Sequence, residues 1–465
     1  MDLQQGAPRF AGVTESLPAL VAEMERKAPY AAAQWTRNSG LLVMVNDREQ
    51  AVTEVPPSQG LALSAWNGAF FEEAASGDVT AQHAFQLARC LTDRMQCAPS
   101  AAPLDPGPAL RQRFFTSCVQ DPARLSAKEK LDLCMDVHRR ARGLDTRIVN
   151  VQVRYTETLG SKAFANRNRM LSQDVQRMRF SVSMMVSDGQ QLQYDWIGKD
   201  GTGGLEVIQV SDEELLKLRD SSIALLSAGK IPPGMYDVIC SPDVSGVIAH
   251  EAFGHGVELD MFLKDRARSR QYLGKAIASP LVDILDDPSY PGGHGTYFFD
   301  DEGQLAAPTY IIRRGVFERG LSDQYSAHSL RMPHTANGRR EGFERKVYVR
   351  MSNTFFARGH TPVQRMFESV ERGISLQHTS SGMEDPKGWG MQVTCHYGEE
   401  IVDGKLTGRR FAPIGITGYV PDILQSVSMV GDDFQLSGGT CGKGHKEWVP
   451  VSSGGPHLKL KARLG

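Results

Sequence analysis

Residues 241–260, SPDVSGVIAHEAFGHGVELD, place two histidines and a glutamate on one short apolar segment that reads as a helix. Ser241 is a suitable N-cap, Pro242 fits the first helical position, and Asp243 favours the positive end of the helix dipole. Gly254 and Gly256 give the chain freedom to leave the helix. His250, Glu251 and His255 are spaced H-E-x-x-x-H, one residue longer than the H-E-x-x-H pattern that sets two zinc-binding histidines on one helix face. On a regular helix, positions five apart point roughly 140° away from each other. Both rings reach one ion only if the helix widens or breaks between them, and Gly254 is where that costs least. A distorted helix is therefore expected at Gly254, with Glu251 beside the metal's open position as general base for a water.

Two histidines need a third ligand. Cys441, in SGGTCGKGHKEW, is a candidate because glycines on both sides allow close backbone approach; a buried structural thiol is the plain alternative. His445 in the same segment and His294 in the PGGHG loop are rivals, and spacing does not choose among them. Asp300, Asp301 and Glu302 offer oxygen ligands for a hard cation, yet paired acids before Gly303 read better as a solvated turn. Arg339 and Arg340, in NGRR, are candidate substrate-binding residues that could clamp a carboxylate, and a solvated face is the competing reading. Glu258 either supports a ligating histidine or faces solvent.

A chain of 465 residues exceeds what one core usually serves. An α+β architecture with two domains is expected, divided at GKIPPG: residues 1–230 as an N-terminal α/β sandwich-like domain and 231–465 as a mostly β domain carrying the H-E-x-x-x-H helix. Helices are expected at 15–28, 78–96, 126–142, 211–228 and 361–372, and hairpins at Asn67-Gly68 and Asp188-Gly189, with a Pro-rich loop at 98–108. With 52 basic and 54 acidic residues, charge gives no case for binding nucleic acid or a membrane surface. No run of eighteen apolar residues appears and MDLQQGAPRF lacks the features of a signal peptide, so a cytoplasmic location is expected. Seven scattered cysteines without a CxxC pair argue against a disulfide framework.

HEAFGHGVELD, DDEG, NGRREGF, RMSNTF, SVSMVGDD and GTCGK occur in an order that resembles the TldD/PmbA family of metallopeptidases, strongly across about 240–460 and more faintly before it. The resemblance implies Zn²⁺ held by His250, His255 and Cys441, with Glu251 as base. It also implies hydrolysis of extended or unfolded peptides in a cavity between two subunits, within a homodimer or a heterodimer with a TldE/PmbA-like paralogue that lacks the motif. Because this chain keeps the motif, it resembles the catalytic subunit. GKGHKEW after the cysteine departs from the family pattern and leaves substrate choice open. The competing expectations are a maturation protease or amidase dedicated to one peptide natural product or antitoxin, and a non-catalytic regulatory dimer subunit.

Overall fold

The structure, a computed structural model, describes residues 13–97, 104–444 and 446–465; His445 and the 98–103 part of the Pro-rich stretch lie outside the described residues. The fold is α+β, with a β-barrel in the C-terminal region. Among the described residues no helix is long and apolar enough to cross a membrane.

The N-terminal sheet runs in the order Phe71–Ser76, Gln50–Trp66, Tyr30–Val45, Ile148–Ala165, Arg169–Ser187, Leu110–Phe115, and Leu192–Thr202 also pairs with Arg169–Ser187. Asn67 makes the turn between Gln50–Trp66 and Phe71–Ser76 by accepting hydrogen bonds from the amides of Ala69 and Phe70 on its side-chain oxygen. Burial alternates along Arg169–Ser187, as expected of a strand with one face on a core. On that face, Val151, Tyr155, Phe180 and Val182 pack under the helices Ala127–Arg142 and Asp212–Ala224. Both helices open with full capping boxes, Ser126 with Glu129 and Ser211 with Glu214. The opposite face turns toward the C-terminal half, which packs Phe299 against Tyr30, Ala32, Phe164 and Leu171 and leaves the part around Arg154 and Arg179 open.

Five strands of that half close on themselves. Arg372–Asp385 pairs with Gly234–Cys240, which pairs with Leu458–Leu464, then Ile414–Tyr419 and Gly390–Val402, and the last returns to Arg372–Asp385. A second sheet runs Val316–Phe317, Thr309–Arg313, Ile284–Asp286, Asn353–Phe356, Lys446–Gly455 and Gln435–Lys443, leaving Gln435–Lys443 at its edge. The helix Pro242–Phe253 packs against both Arg372–Asp385 of the barrel and Lys446–Gly455 of the sheet. It is buried nearly all round, which is how a helix enclosed by two sheets must read. Gly246 permits this approach, since a Cβ there would run into the backbone of Ser453 and Gly454. Gly246→Ala is accordingly expected to lower stability by about 1–3 kcal/mol. An unchanged denaturation midpoint would show that the helix–strand contact yields freely.

Two sequence expectations are corrected. The helix expected over 361–372 is only Val363–Glu368, because the chain must be extended by Arg372 to enter the barrel strand; Met366 and Val370 are nonetheless core residues. Asp300, Asp301 and Glu302 are not a solvated turn. Asp300 is 1 % exposed, and its carboxylate accepts the amides of Glu302, Gln304 and Gly338. Asp301 binds Gln34 and Lys162 of the N-terminal sheet, so this turn joins the two halves.

Candidate metal centre and cavity

The helix ends at Phe253, and Gly254, with φ −99° and ψ −77°, leads into a 3-10 turn at His255–Val257. A Cβ on Gly254 would collide with Met351 and with the His250 carbonyl, so the tight exit requires glycine. The break brings His255 back toward His250: the rings meet edge to face at 89°, with centroids 5.3 Å apart. Both Nε2 atoms face Cys441 Sγ, at 3.2 Å from His250 and 3.1 Å from His255. Such separations approach the edge of a tetrahedron built from Zn–N bonds of about 2.0 Å and Zn–S bonds of about 2.3 Å, roughly 3.5 Å. The donor set, two imidazoles and a thiol that is 7 % exposed, fits a zinc ion with one position left for water or substrate.

The charges around the trio are arranged for an anionic sulfur. Burial raises the Cys441 thiol, but the two imidazoles outweigh it and hold the group well below the usual thiol range. Arg350 is fully buried and donates from Nη2 to the sulfur at 3.0 Å. Glu258 is also buried, with Oε2 3.5 Å from His255 Nδ1 and 3.0 Å from Lys443 Nζ, and Oε1 3.6 Å from Arg350. Burial alone would lift its carboxyl; Lys443, His255 and Arg350 instead hold it at about 2. Of the two sequence readings of Glu258, the structure therefore favours support of His255 over exposure to solvent. Glu258→Gln would leave the buried Arg350 without its carboxylate partner and Lys443 with Asp260 alone, with an expected stability loss of about 3–5 kcal/mol. Metal affinity should fall about 10–100-fold in the same protein. Chemical denaturation and competition with a chromogenic chelator measure the two effects.

Glu251 occupies the cavity wall beside Gly382 of the barrel strand and is 9 % exposed. The cavity has a volume of about 1350 Å³ and lies between the N-terminal sheet's open face and the site, with His250, Glu251 and Cys441 all on its surface. Its other walls include the edge strand Gln435–Lys443 and residues 377–382 of the barrel strand.

Not every candidate converges here. His294 lines the cavity near Gly438 and is not grouped with the trio. Burial and the nearby Arg177, Arg179 and Arg339 push its imidazole down to about 3. Arg339 is buried, donates to the carbonyls of Met351 and Pro450, and lies over the Tyr297 ring. Arg340 binds Glu73, Ser64 and the Arg345 carbonyl. Neither lines the large cavity, and both guanidiniums tie the chain to itself. Asp300, Glu302 and His334 form a second group of potential ligands, although the Asp300 oxygens already accept backbone amides and Glu302 accepts the amide of Gln324. Sequence reasoning missed Arg350, Lys443 and Glu384. Glu384 approaches Gly256, both its oxygens are buried without a hydrogen-bond partner among the described residues, and burial raises its carboxyl to about 9. Their only sequence signals are Lys443 two places after Cys441 and Arg350 at the head of RMSNTF.

Comparison with known proteins adds to the geometry. Residues 233–463 match the model of the PmbA/TldA metallopeptidase C-terminal domain, and 120–227 that of the central domain. A metalloprotease of Methanothermobacter thermautotrophicus is 30 % identical over 457 residues, spanning 96 % of this chain and 98 % of the relative. A zinc metalloprotease TldD homolog of Saccharolobus solfataricus is 29 % identical over 251 residues, 54 % of this chain and 56 % of its own length. Among solved structures, TldE from Thermococcus kodakarensis superposes with a TM-score of 0.74 at 14 % identity, covering 98 % of this chain and 100 % of that one.

Proposed function

This chain belongs to the PmbA/TldD family of metallopeptidases, and from that premise we propose that it is a zinc peptidase acting on unfolded or extended peptides, with His250, His255 and Cys441 as ligands and Glu251 as base. The observation that carries the reading is the meeting of two imidazoles and a thiol on the wall of a large cavity, with Glu251 beside them. The zinc metalloprotease name of the Saccharolobus solfataricus relative supports the choice of ion.

When bound, zinc supplies Lewis acidity toward a water and a peptide carbonyl. Glu251 takes a proton from the water as its oxygen bonds to the carbonyl carbon, then delivers that proton to the departing amine nitrogen as the C–N bond breaks. Arg350 and Glu258 hold Cys441 and His255 in place. The edge strand Gln435–Lys443 borders the cavity and offers backbone groups with which an extended peptide can pair, without reading its side chains.

In this reading the N-terminal domain, 1–230, roofs the cavity with its strands between 154 and 200, and the domain 231–465 carries the chemistry. The likeness to a TldE structure supports pairing with such a paralogue, and a homodimer is the alternative. Purified protein is expected to cleave an unfolded peptide, to stop on chelation and to resume with added Zn²⁺. A folded, metal-free dimer that cleaves nothing after zinc loading would instead support the non-catalytic reading.

A further inference from the structure

The cavity wall opposite the metal centre carries charges that hydrolysis does not require. Arg154, Arg177 and Arg179 project from adjacent strands of the N-terminal sheet into the cavity. Arg154 is opposite Ser181 and Arg179 opposite Thr156 in the register, so Arg154 and Arg179 are diagonal neighbours on one face. Like charges so placed on a sheet repel each other. Arg177 is fixed by donating to the carbonyls of His294 and Thr296, at 2.8 and 2.7 Å, which orients the guanidinium without neutralising it. Arg154 and Arg179 make no hydrogen bond or close ion pair among the described residues, although both are exposed to the cavity.

The acids lining the cavity do not cancel this charge. Asp433 is paired with His457 at 2.7 Å, Asp243 accepts from Ser241, and Glu251 belongs to the metal centre. Among the described residues, Asp200 is the one cavity acid that adjoins the arginines, opposite Arg179 in the register. Burial raises the Asp200 carboxyl, and it also accepts the Gly438 amide. Three guanidiniums therefore face one carboxylate in a space large enough for a peptide.

Asp200 also fixes the distance from this cluster to the site. It abuts Gly438, three positions before Cys441 on the same strand. At about 3.3 Å per residue that is roughly 10 Å from the sulfur, and one strand spacing further reaches Arg179. We propose that the arginine face selects peptides carrying a carboxylate about three to four residues from the bond to be cut, a span set by the extended-chain rise. This rests on the peptidase reading and adds to it a substrate charge. Either an acidic side chain or the peptide's own C-terminus could supply the group.

The test uses binding and cleavage separately. Zinc-loaded Glu251→Gln protein is titrated with fluorescent peptides of one neutral parent sequence: one with aspartates four positions either side of the centre and an amidated end, one with lysines there, and one neutral with a free C-terminal carboxylate. The aspartate peptide is expected to bind at least about fivefold more tightly than the lysine peptide at low salt. The preference should vanish in an Arg154→Ala/Arg179→Ala background and invert in Arg154→Glu/Arg179→Glu. Inversion separates lost charge from lost folding, since a misfolded variant loses every peptide alike. A gain confined to the free-carboxylate peptide would support the terminal group as the source. Equal binding of all three, unmoved by charge reversal, would overturn the proposal. Wild-type protein that binds with the expected preference yet cleaves none of the peptides would instead sink the peptidase reading alone.

Discussion

Glu251→Gln is expected to lower turnover of an unfolded peptide by about 10²–10⁴-fold, the usual weight of a positioned general base, while zinc stays bound in full. Glutamine keeps the volume of the side chain against Gly382, so the helix and its neighbouring His250 should be undisturbed. What it loses is the capacity to accept a proton from water. Glu251 lies beside the His250–His255–Cys441 trio and not within it, so its replacement should separate chemistry from metal retention. Elemental analysis and kcat on the same preparation decide the matter. Unchanged turnover in zinc-loaded protein would remove Glu251 from the mechanism, and zinc loss would make it a ligand instead.

Cys441→Ala should have the opposite signature, with metal and activity lost together. The sulfur is the atom that both imidazoles approach, and Arg350 donates to it. Alanine would leave the buried His250 ring, the half-buried His255 ring and a buried guanidinium around a missing anion, a cost that argues for local rearrangement as well as ligand loss. The drop in zinc affinity should exceed the roughly 100-fold expected when only a supporting residue is changed. Cys441→Ser, which keeps a weak oxygen donor, should fall between wild type and alanine. Full zinc occupancy in the alanine protein would exclude Cys441 as a ligand.

The legible parts of this chain are those governed by local chemistry. Ser126 with Glu129, Ser211 with Glu214, and the Asn67-Gly68 turn each contain their own hydrogen-bonding instructions within a few residues, and the elements begin or turn there. The H-E-x-x-x-H spacing likewise required a break before His255, and the helix stops at Phe253. Cys441 is different. It lies 191 residues from His250, and no periodicity connects them, so from residues alone it could not be separated from His294 or His445; only the family resemblance singled it out. Glu258, Arg350 and Lys443 were harder still, because a charged side chain in a sequence looks solvated until other charges are shown to enclose it. Arg339 and Arg340 suggest a ligand clamp as a pair in a turn, and the folded chain gives their guanidiniums its own carbonyls and Glu73 as partners while both line a smaller cavity. The helix at 361–372 was read too long because propensity cannot see that the following residues must enter a barrel.

An unpaired strand edge on a protein's outer surface invites sticking to other strands, and folded proteins normally cover or charge such edges. Here the edge of Gln435–Lys443 faces the interior of the cavity. A neighbouring globular protein cannot bring its own sheet into that space, whereas a single slack chain can enter end first. On the proposed peptidase reading the placement would work as a sieve: admission would depend on whether a polypeptide has already let go of its own partners, and only then on the bond offered to the candidate metal centre.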